Sequence, residues 1–197
     1  MSNKQTAAKI LITGKPSSGK THSLKTLQNA YTVYADTKKR FPLDLVHTNV
    51  YPYKEFRKTK KVDGKVITVN ELPDKAIEYC GINDFIKKVM GKLAAYKKAK
   101  GKLPDTVAFD AITNIYKMIH DYICTTTQNV YGSHSADTAR DLDIFLAWIE
   151  RELIARGINV VLLAHVVENK DTGYLQVATS GSKTFENTGG STFIGSR

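Results

Sequence analysis

Residues 14–21 read GKPSSGKT and satisfy the pattern GxxxxGK[ST] with Gly14, Gly19, Lys20 and Thr21. The glycines let the backbone turn tightly and approach an anion, so that the N–H groups of the loop point at phosphate oxygens. Lys20 supplies a positive charge for the β- and γ-phosphates, and the Thr21 hydroxyl is a ligand for Mg²⁺. The motif therefore predicts that the chain binds ATP with Mg²⁺. The other residues that we expect to line the nucleotide are Lys15, Pro16, Ser17, Ser18 and His22.

A loop of this kind needs an acid on a neighbouring strand to help hold Mg²⁺. Residues 106–109 (TVAF) predict a buried strand, and Asp110 follows directly. We expect Asp110 to share the magnesium site with Thr21. The alternative is that Asp110 caps a helix beginning near Ile112, since Asp is a good N-cap residue. Because Ala111 rather than a second acid follows, we do not expect this strand to activate the attacking water.

If ATP is hydrolysed, the general base must come from another segment. Asp36, which ends the run YTVYAD, is the best-placed acid, although the basic residues 38–40 behind it fit a simple turn-forming Asp equally well. His165 ends the run NVVLLAH and would lie near the γ-phosphate if its strand pairs with the strand of Asp110. There it would sense hydrolysis or position water; the alternative is a structural histidine. The predicted catalytic residues are Lys20, Asp36, Asp110 and His165.

Strands and helices alternate along the chain and would position these side chains. Short apolar runs predict strands at residues 8–13, 31–35, 106–109 and 159–164, the first of them with the unbroken character of a buried central strand. Helix formers occupy residues 18–29, and amphipathic stripes with 3.6-residue spacing begin at Ile82, Ile112 and Leu142. This order predicts a three-layer α/β fold, with a mostly parallel sheet and flanking helices.

Two segments interrupt the alternation. Residues 60–69 (KKVDGKVITV) predict a β-hairpin that turns at Asp63-Gly64. The hairpin lies in an insertion at about residues 54–102, which has fourteen basic and six acidic residues and so carries most of the formal charge of +10. Such a basic face attracts nucleic acid, and the alternative is a solvated lysine-rich surface. The last segment, about residues 171–197, is rich in Gly, Ser and Thr and predicts loop, hairpin or tail.

Length and composition predict one domain over residues 1–197, since 42% of the residues are hydrophobic. No stretch approaches the ~18 consecutive apolar residues of a membrane span, and the polar N-terminus does not resemble a signal peptide. We therefore expect a cytoplasmic protein without a membrane partner. Cys80 and Cys124 lie in no metal-binding pattern, so we expect both to be small buried side chains.

The ordered set GKPSSGKT, VAFDAITNIY and NVVLLAH resembles the phage-encoded RecA-like P-loop ATPases of the single-strand annealing and recombination type, with an AAA-type nucleotide-binding domain. The resemblance covers most of the chain. It implies a RecA-like fold, ATP hydrolysis, a homo-oligomer in a ring or filament, and the cytoplasm of a bacterial host. It also implies single-stranded DNA as a partner, with a single-strand DNA-binding protein as a further one.

By the same resemblance, residues 129–137 and 166–181 face single-stranded DNA. Within or near these loops, Tyr131 and Tyr174 would stack on bases, while Lys170 and Lys183 would contact phosphates. The chain departs from the family pattern near the second strand, where Asp36 and a basic run stand in place of a clear Glu. A neighbouring subunit would supply a cationic finger, for which Lys183 and Arg197 are candidates by their late position.

Two further functions remain open beside an ATPase that acts on single-stranded DNA. One is a nucleotide-gated single-strand-binding module without significant hydrolysis, which the uncertain base at Asp36 favours. The other is a nucleoside or nucleotide kinase. The basic insertion argues against a kinase, because Arg57 is its only arginine and lysine lacks the bidentate fork expected of a phosphate-clamping lid.

Overall fold

The computed structural model describes residues 7–35, 41, 43–127, 133–168 and 175–177. Its centre is a sheet of parallel strands in the order β1-β8-β7-β2-β3-β6, and β9 pairs with β8 in the antiparallel direction. The strands of the structure are β1 (Lys9–Gly14), β2 (Ala30–Tyr34), β3 (His47–Tyr51), β4 (Arg57–Val62), β5 (Lys65–Asn70), β6 (Ile77–Glu78), β7 (Thr106–Asp110), β8 (Asn159–Glu168) and β9 (Leu175–Val177). The predicted α/β fold with a mostly parallel sheet is confirmed.

Three long helices cover one face of the sheet. The helices are α1 (Lys20–Ser23), α2 (Ile82–Lys100), α3 (Ile112–Thr126) and α4 (Ser133–Trp148). Short turns follow two of them: a 3-10 turn (Leu24–Thr26) after α1, and a π turn (Ile149–Leu153) and a 3-10 turn (Ile154–Arg156) after α4. Phe85 of α2, Ile115 of α3 and Phe145 of α4 are fully buried in one core. The three predicted amphipathic stripes therefore form the layer on this face.

The two faces of the sheet have separate cores because successive strand residues point in opposite directions. On β8, Leu162 and Ala164 join the core beneath α2, α3 and α4. Val161 and Leu163 face the other side, where they meet Leu24 and a few apolar residues of the segment 41–45. Each face of the sheet thus carries its own apolar core.

Two sequence predictions about the start of the chain are wrong. Strand β1 was expected at the centre of the sheet, but among the described residues it pairs only with β8, and Ile10 is 46% exposed. Apolar content does not reveal strand order, which is set here by the return of β8 between β1 and β7. The helix expected over residues 18–29 ends at Thr26, because Leu27 is extended and Asn29 has a positive φ of 48°.

The predicted hairpin is confirmed as the pair β4 and β5. Asp63 and Gly64 both have positive φ, 48° and 77°, as a two-residue turn of type I′ requires. The expectation for the cysteines is wrong, because Cys80 is half-buried and Cys124 is exposed. Among the described residues, no helix combines the length and apolar character needed to cross a membrane.

Candidate nucleotide-binding site

The carboxyl ends of β1, β8 and β7 bring the predicted phosphate-site residues to one edge of the sheet. Gly14, which ends β1, lies opposite His165 of β8. Asp110, which ends β7, lies opposite Leu163 of the same strand. Strand β8 therefore stands between the glycine loop and Asp110, beside the strand of Asp110 as the interpretation of His165 required. The role of His165 in sensing or positioning remains a prediction.

The backbone of the loop depends on its two glycines in different ways. Gly19 has a φ of 88°, in the left-handed region that glycine adopts without a steric cost. A Cβ added at Gly14 would lie 2.6 Å from the Oγ of Ser18, so a side chain there would force the loop or Ser18 to move. Residues 15–19 are exposed, which leaves the outer surface of the loop accessible to an anion.

Lys20 is held beneath this loop by the carbonyls at its start. Its Nζ donates to the carbonyl oxygens of Gly14 at 2.7 Å and Lys15 at 2.8 Å, and the residue is 8% exposed. Burial lowers the pKa of Lys20, while the carboxylate of Asp110 opposes that shift. An ammonium group has three N–H donors, so these two bonds fix its position and one donor is available for a phosphate oxygen.

Thr21 and Asp110 are in direct contact. The Thr21 Oγ1 donates to Oδ2 of Asp110 at 2.6 Å, and Asp110 is 4% exposed. A hydroxyl and a carboxylate are hard oxygen donors, the type that Mg²⁺ binds in nucleotide sites together with phosphate oxygens and waters. The pair therefore fits the predicted magnesium ion.

The alternative role of Asp110 as a helix cap does not match the structure. Helix α3 begins at Ile112 with Ala111 at the N-cap position, and within the described part of the chain this N-cap residue makes no side-chain capping hydrogen bond. Asp110 precedes that position, and its carboxylate accepts a hydrogen bond from Thr21. The geometry places Asp110 with the phosphate loop.

Helix α1 is shorter than the sequence predicts, and this reduces the contribution that the helix dipole would make to phosphate binding. Four residues and the following turn give only a small helix dipole, so its contribution to phosphate binding is smaller than for a full helix. The loop N–H groups and Lys20 would therefore supply the larger part of the predicted phosphate binding. The carbonyl partners of Lys20 could not be predicted from the sequence, because backbone acceptors have no signature in a sequence.

Several predicted site residues lie outside the described part of the chain, and their roles remain predictions. They are Asp36, Tyr131, Lys170, Tyr174, Lys183 and Arg197. Within the described part, the structure brings together Gly14, Lys20, Thr21, Asp110 and the strand position of His165.

Comparison with known proteins agrees with this geometry. The model of one protein family, described as an AAA domain, matches residues 6–187. The match includes the glycine loop and the strands β7 and β8. No curated protein matches the chain.

Proposed function

This chain belongs to the AAA domain family and is a P-loop NTPase of the AAA type, and on that premise we propose that it is a magnesium-dependent ATPase acting on single-stranded DNA in phage recombination. The observation that carries the ATPase part is the contact between Thr21 and Asp110, 2.6 Å long, beside a lysine fixed under the glycine loop. These groups support the binding of ATP with Mg²⁺ at one edge of the sheet.

In the proposed reaction, water attacks the γ-phosphorus, the bond to the β–γ bridging oxygen breaks, and ADP and inorganic phosphate leave. Mg²⁺ held by Thr21 and Asp110 would neutralise charge on the phosphate oxygens. Lys20 places a fixed cation where charge develops, an arrangement that accelerates phosphoryl transfer. His165, at the end of β8, and Asp36 are the two candidates for positioning or activating the water.

The DNA part of the proposal is supported by charge and by resemblance. The formal charge of +10 is concentrated in the insertion, and a basic surface binds phosphodiester chains by releasing condensed counterions. The motifs GKPSSGKT, VAFDAITNIY and NVVLLAH resemble those of recombination ATPases that work as homo-oligomers on single strands. In this proposal, the nucleotide state orders the predicted DNA-facing segments 129–137 and 166–181.

The test is ATP hydrolysis with and without single-stranded DNA, comparing wild type with Lys20→Ala. Loss of the ammonium group is expected to slow hydrolysis by about 10²–10³-fold, the range found when one stabilising donor is removed from a transition state. Lys25→Ala is the matched control, since Lys25 is exposed on the turn after α1. The ATPase proposal fails if wild type does not hydrolyse ATP in either condition, or if Lys20→Ala retains the wild-type rate.

One observation favours a second function, a nucleotide-gated module that binds single strands without significant hydrolysis. In the described residues, Ala111 follows Asp110, and the Asp110 Oδ2 already accepts from Thr21. This strand therefore offers no additional carboxylate for water. This function would be supported if the protein anneals and binds single-stranded DNA only with a non-hydrolysable ATP analogue and shows no measurable ATP turnover.

A further inference from the structure

We propose that the hairpin formed by β4 and β5 is a DNA-binding arm, on which Lys61, Lys65 and the exposed apolar side chains at the tip contact a single strand. That the ligand is single-stranded DNA rests on the proposed function. That the hairpin is the place of contact does not rest on it, because this follows from the exposure, anchoring and charge of the hairpin.

The hairpin forms a sheet of its own, separate from the central one. All six residues of β4 are exposed, as are five of the six residues of β5. An isolated two-stranded ribbon is only marginally stable in water, so such a structure needs support at its base. Neither face of the ribbon is buried among the described residues. The residues of β4 and β5 therefore do not serve to form a hydrophobic core.

The base of the hairpin is held firmly by Glu78, the last residue of β6. Glu78 is 8% exposed and accepts from the backbone N–H of Lys54 at 2.9 Å and from Nδ2 of Asn70 at 3.3 Å. Its carboxylate also pairs with Nε of Arg57 at 3.3 Å. Arg57 and Asn70 face each other across the ribbon, so one buried carboxylate fixes both strands where they leave the body.

Aromatic rings add a second attachment at the base. The ring of Tyr53 meets Tyr122 of α3 edge to face, with the ring centroids 5.1 Å apart. The guanidinium of Arg57 lies over the same Tyr53 ring, 4.8 Å from its centroid. The base is therefore packed against the body, while the tip extends into solvent.

The cations of the ribbon are unevenly neutralised. Lys58 and Lys60 both pair with Glu71, which draws the pKa of that carboxyl down to about 2. Among the described residues, Lys61 and Lys65 have no acidic partner within salt-bridge distance. Because neighbouring residues of a strand point to opposite faces, Lys61 lies on one face of the ribbon and Lys65 on the other. Each face thus carries, near the turn, a lysine without an acidic partner in the described part of the chain.

Exposed apolar side chains lie among these lysines. Val62 is 46% exposed, Val66 66% and Ile67 42%. A duplex presents mainly phosphates at its surface, whereas a single strand presents phosphates together with the apolar faces of unpaired bases. Charge and apolar surface in one ribbon therefore fit a single strand better than a duplex.

The arm leaves the body on the side of the nucleotide site. It follows Tyr51, the carboxyl end of β3, and β3 runs parallel to β2 and β7. Carboxyl ends of parallel strands share one edge of a sheet, so the arm begins at the edge that carries Gly14 and Asp110. A DNA single strand bound along this edge would contact both the arm and the glycine loop, which lie on the same side of the protein.

The experiment measures the affinity of the full chain for a labelled oligothymidine by fluorescence anisotropy over a range of salt concentrations. We expect Lys61→Ala/Lys65→Ala to reduce the slope of log K against log salt by about 1.4, since each phosphate contact with a single strand contributes about 0.7. At 0.1 M salt the affinity should fall on the order of tenfold. Glu71→Gln removes the carboxylate that neutralises Lys58 and Lys60, and it should tighten binding and steepen the slope.

The matched control is Lys117→Ala/Arg151→Ala, which removes two exposed charges from α3 and from the turn after α4. It should leave both affinity and slope unchanged. Binding of a fluorescent ATP analogue is measured for every variant, because the hairpin lies outside the phosphate site and its variants should bind the analogue as wild type does. A duplex of equal length should respond less to the hairpin changes than the single strand.

The inference is overturned if Lys61→Ala/Lys65→Ala binds the oligonucleotide with the same affinity and salt slope as the control variant. This holds even if DNA still stimulates ATP hydrolysis and that hydrolysis depends on Lys20. It is also overturned if wild type binds no single strand, or if the hairpin variant changes oligomer size in sedimentation instead of the salt slope, which would indicate a contact between subunits. A reduced slope in a protein that hydrolyses no ATP would support the arm and reject the proposed ATPase. The two proposals can therefore fail separately.

Discussion

The hydroxyl of Thr21 lies 2.6 Å from the carboxylate of Asp110, although 89 positions separate them in the sequence. The contact spans β8, because Thr21 follows the loop after β1 and Asp110 ends β7. Both oxygen donors are of the type that Mg²⁺ binds; Asp110 is positioned by strand β7, and Thr21 by helix α1 after the glycine loop. Because β1, β8 and β7 are neighbours in the sheet, Thr21 and Asp110 lie together at the predicted metal site.

Asp110→Asn tests the role of this carboxylate with little change of shape. The variant should bind nucleotide in the absence of metal as wild type does, while the Mg²⁺-dependent rate of hydrolysis falls by about 10²-fold or more, since an amide holds the cation poorly. The measurement is hydrolysis against Mg²⁺ concentration. Asp105→Asn, at an exposed acid before β7, is the control and should match wild type. A normal Mg²⁺ dependence in Asp110→Asn would remove Asp110 from the metal site.

Gly19→Ala tests the backbone conformation of the phosphate loop. Gly19 has a φ of 88° with open space where a Cβ would lie, so the cost of alanine is backbone strain, about 1–2 kcal/mol. Gly101 at the end of α2 has a φ of 78° and similar open space, and it provides a matched control. Both variants should lower the free energy of unfolding in denaturant titrations by similar amounts. Only Gly19→Ala should also weaken ATP binding, and equal loss of binding in both would contradict a specific role for the loop.

Local signals in the sequence predicted most of the fold. The strand before the glycine loop, the three stripes of α2, α3 and α4, and the Asp63-Gly64 turn each depend on residues close together in the chain. Strands β3 and β6 were not predicted, and β6 has only two residues, too few for a periodic pattern. The position of β1 at an edge was also missed, because strand order depends on where distant segments return.

The candidate site shows the same division between local and distant information. The contact of Thr21 with Asp110 could be predicted, since each residue belongs to a recognisable motif. The buried carboxylate of Glu78 could not, because its partners Lys54, Arg57 and Asn70 belong to a basic insertion with no pattern that marks a pairing. Its role in holding the hairpin becomes visible only when β6 is placed beside β3.

Glu78→Gln tests whether this carboxylate anchors the hairpin. The amide keeps the size of the side chain but loses the charge that pairs with Arg57, and it can no longer accept with two equivalent oxygens. We expect faster amide hydrogen exchange in β4 and β5, with no change at β7 or β8. Glu55→Gln is the control, at an exposed acid of the same segment. Unchanged exchange in the hairpin of Glu78→Gln would show that the aromatic contacts of Tyr53 are sufficient to hold it.

Asp141 on α4 makes stability depend on pH in a direction that can be worked out. Burial raises the pKa of its carboxyl, Arg140 lowers it, and Asp137 raises it, with a net increase above the ordinary value of 3.8. The folded state therefore retains a proton that the unfolded chain releases, so stability falls as pH rises from 3.8 through the higher folded pKa. Above that range Asp141 is ionised in both states, and the folded protein is destabilised by the full free energy of burying the charged carboxylate.

Asp141→Asn should accordingly raise the melting temperature at pH 7, because the neutral amide avoids the cost of burying a charge. The difference from wild type should shrink as pH falls and vanish below about 3.8, where the carboxyl is protonated in both states. Asp143→Asn, at an exposed position of the same helix, should show no such gain. Thermal unfolding followed by circular dichroism between pH 3.5 and 7.5 provides the measurement. A gain for Asp141→Asn that stayed constant over this range would show that packing, and not the charge of Asp141, limits stability at this position.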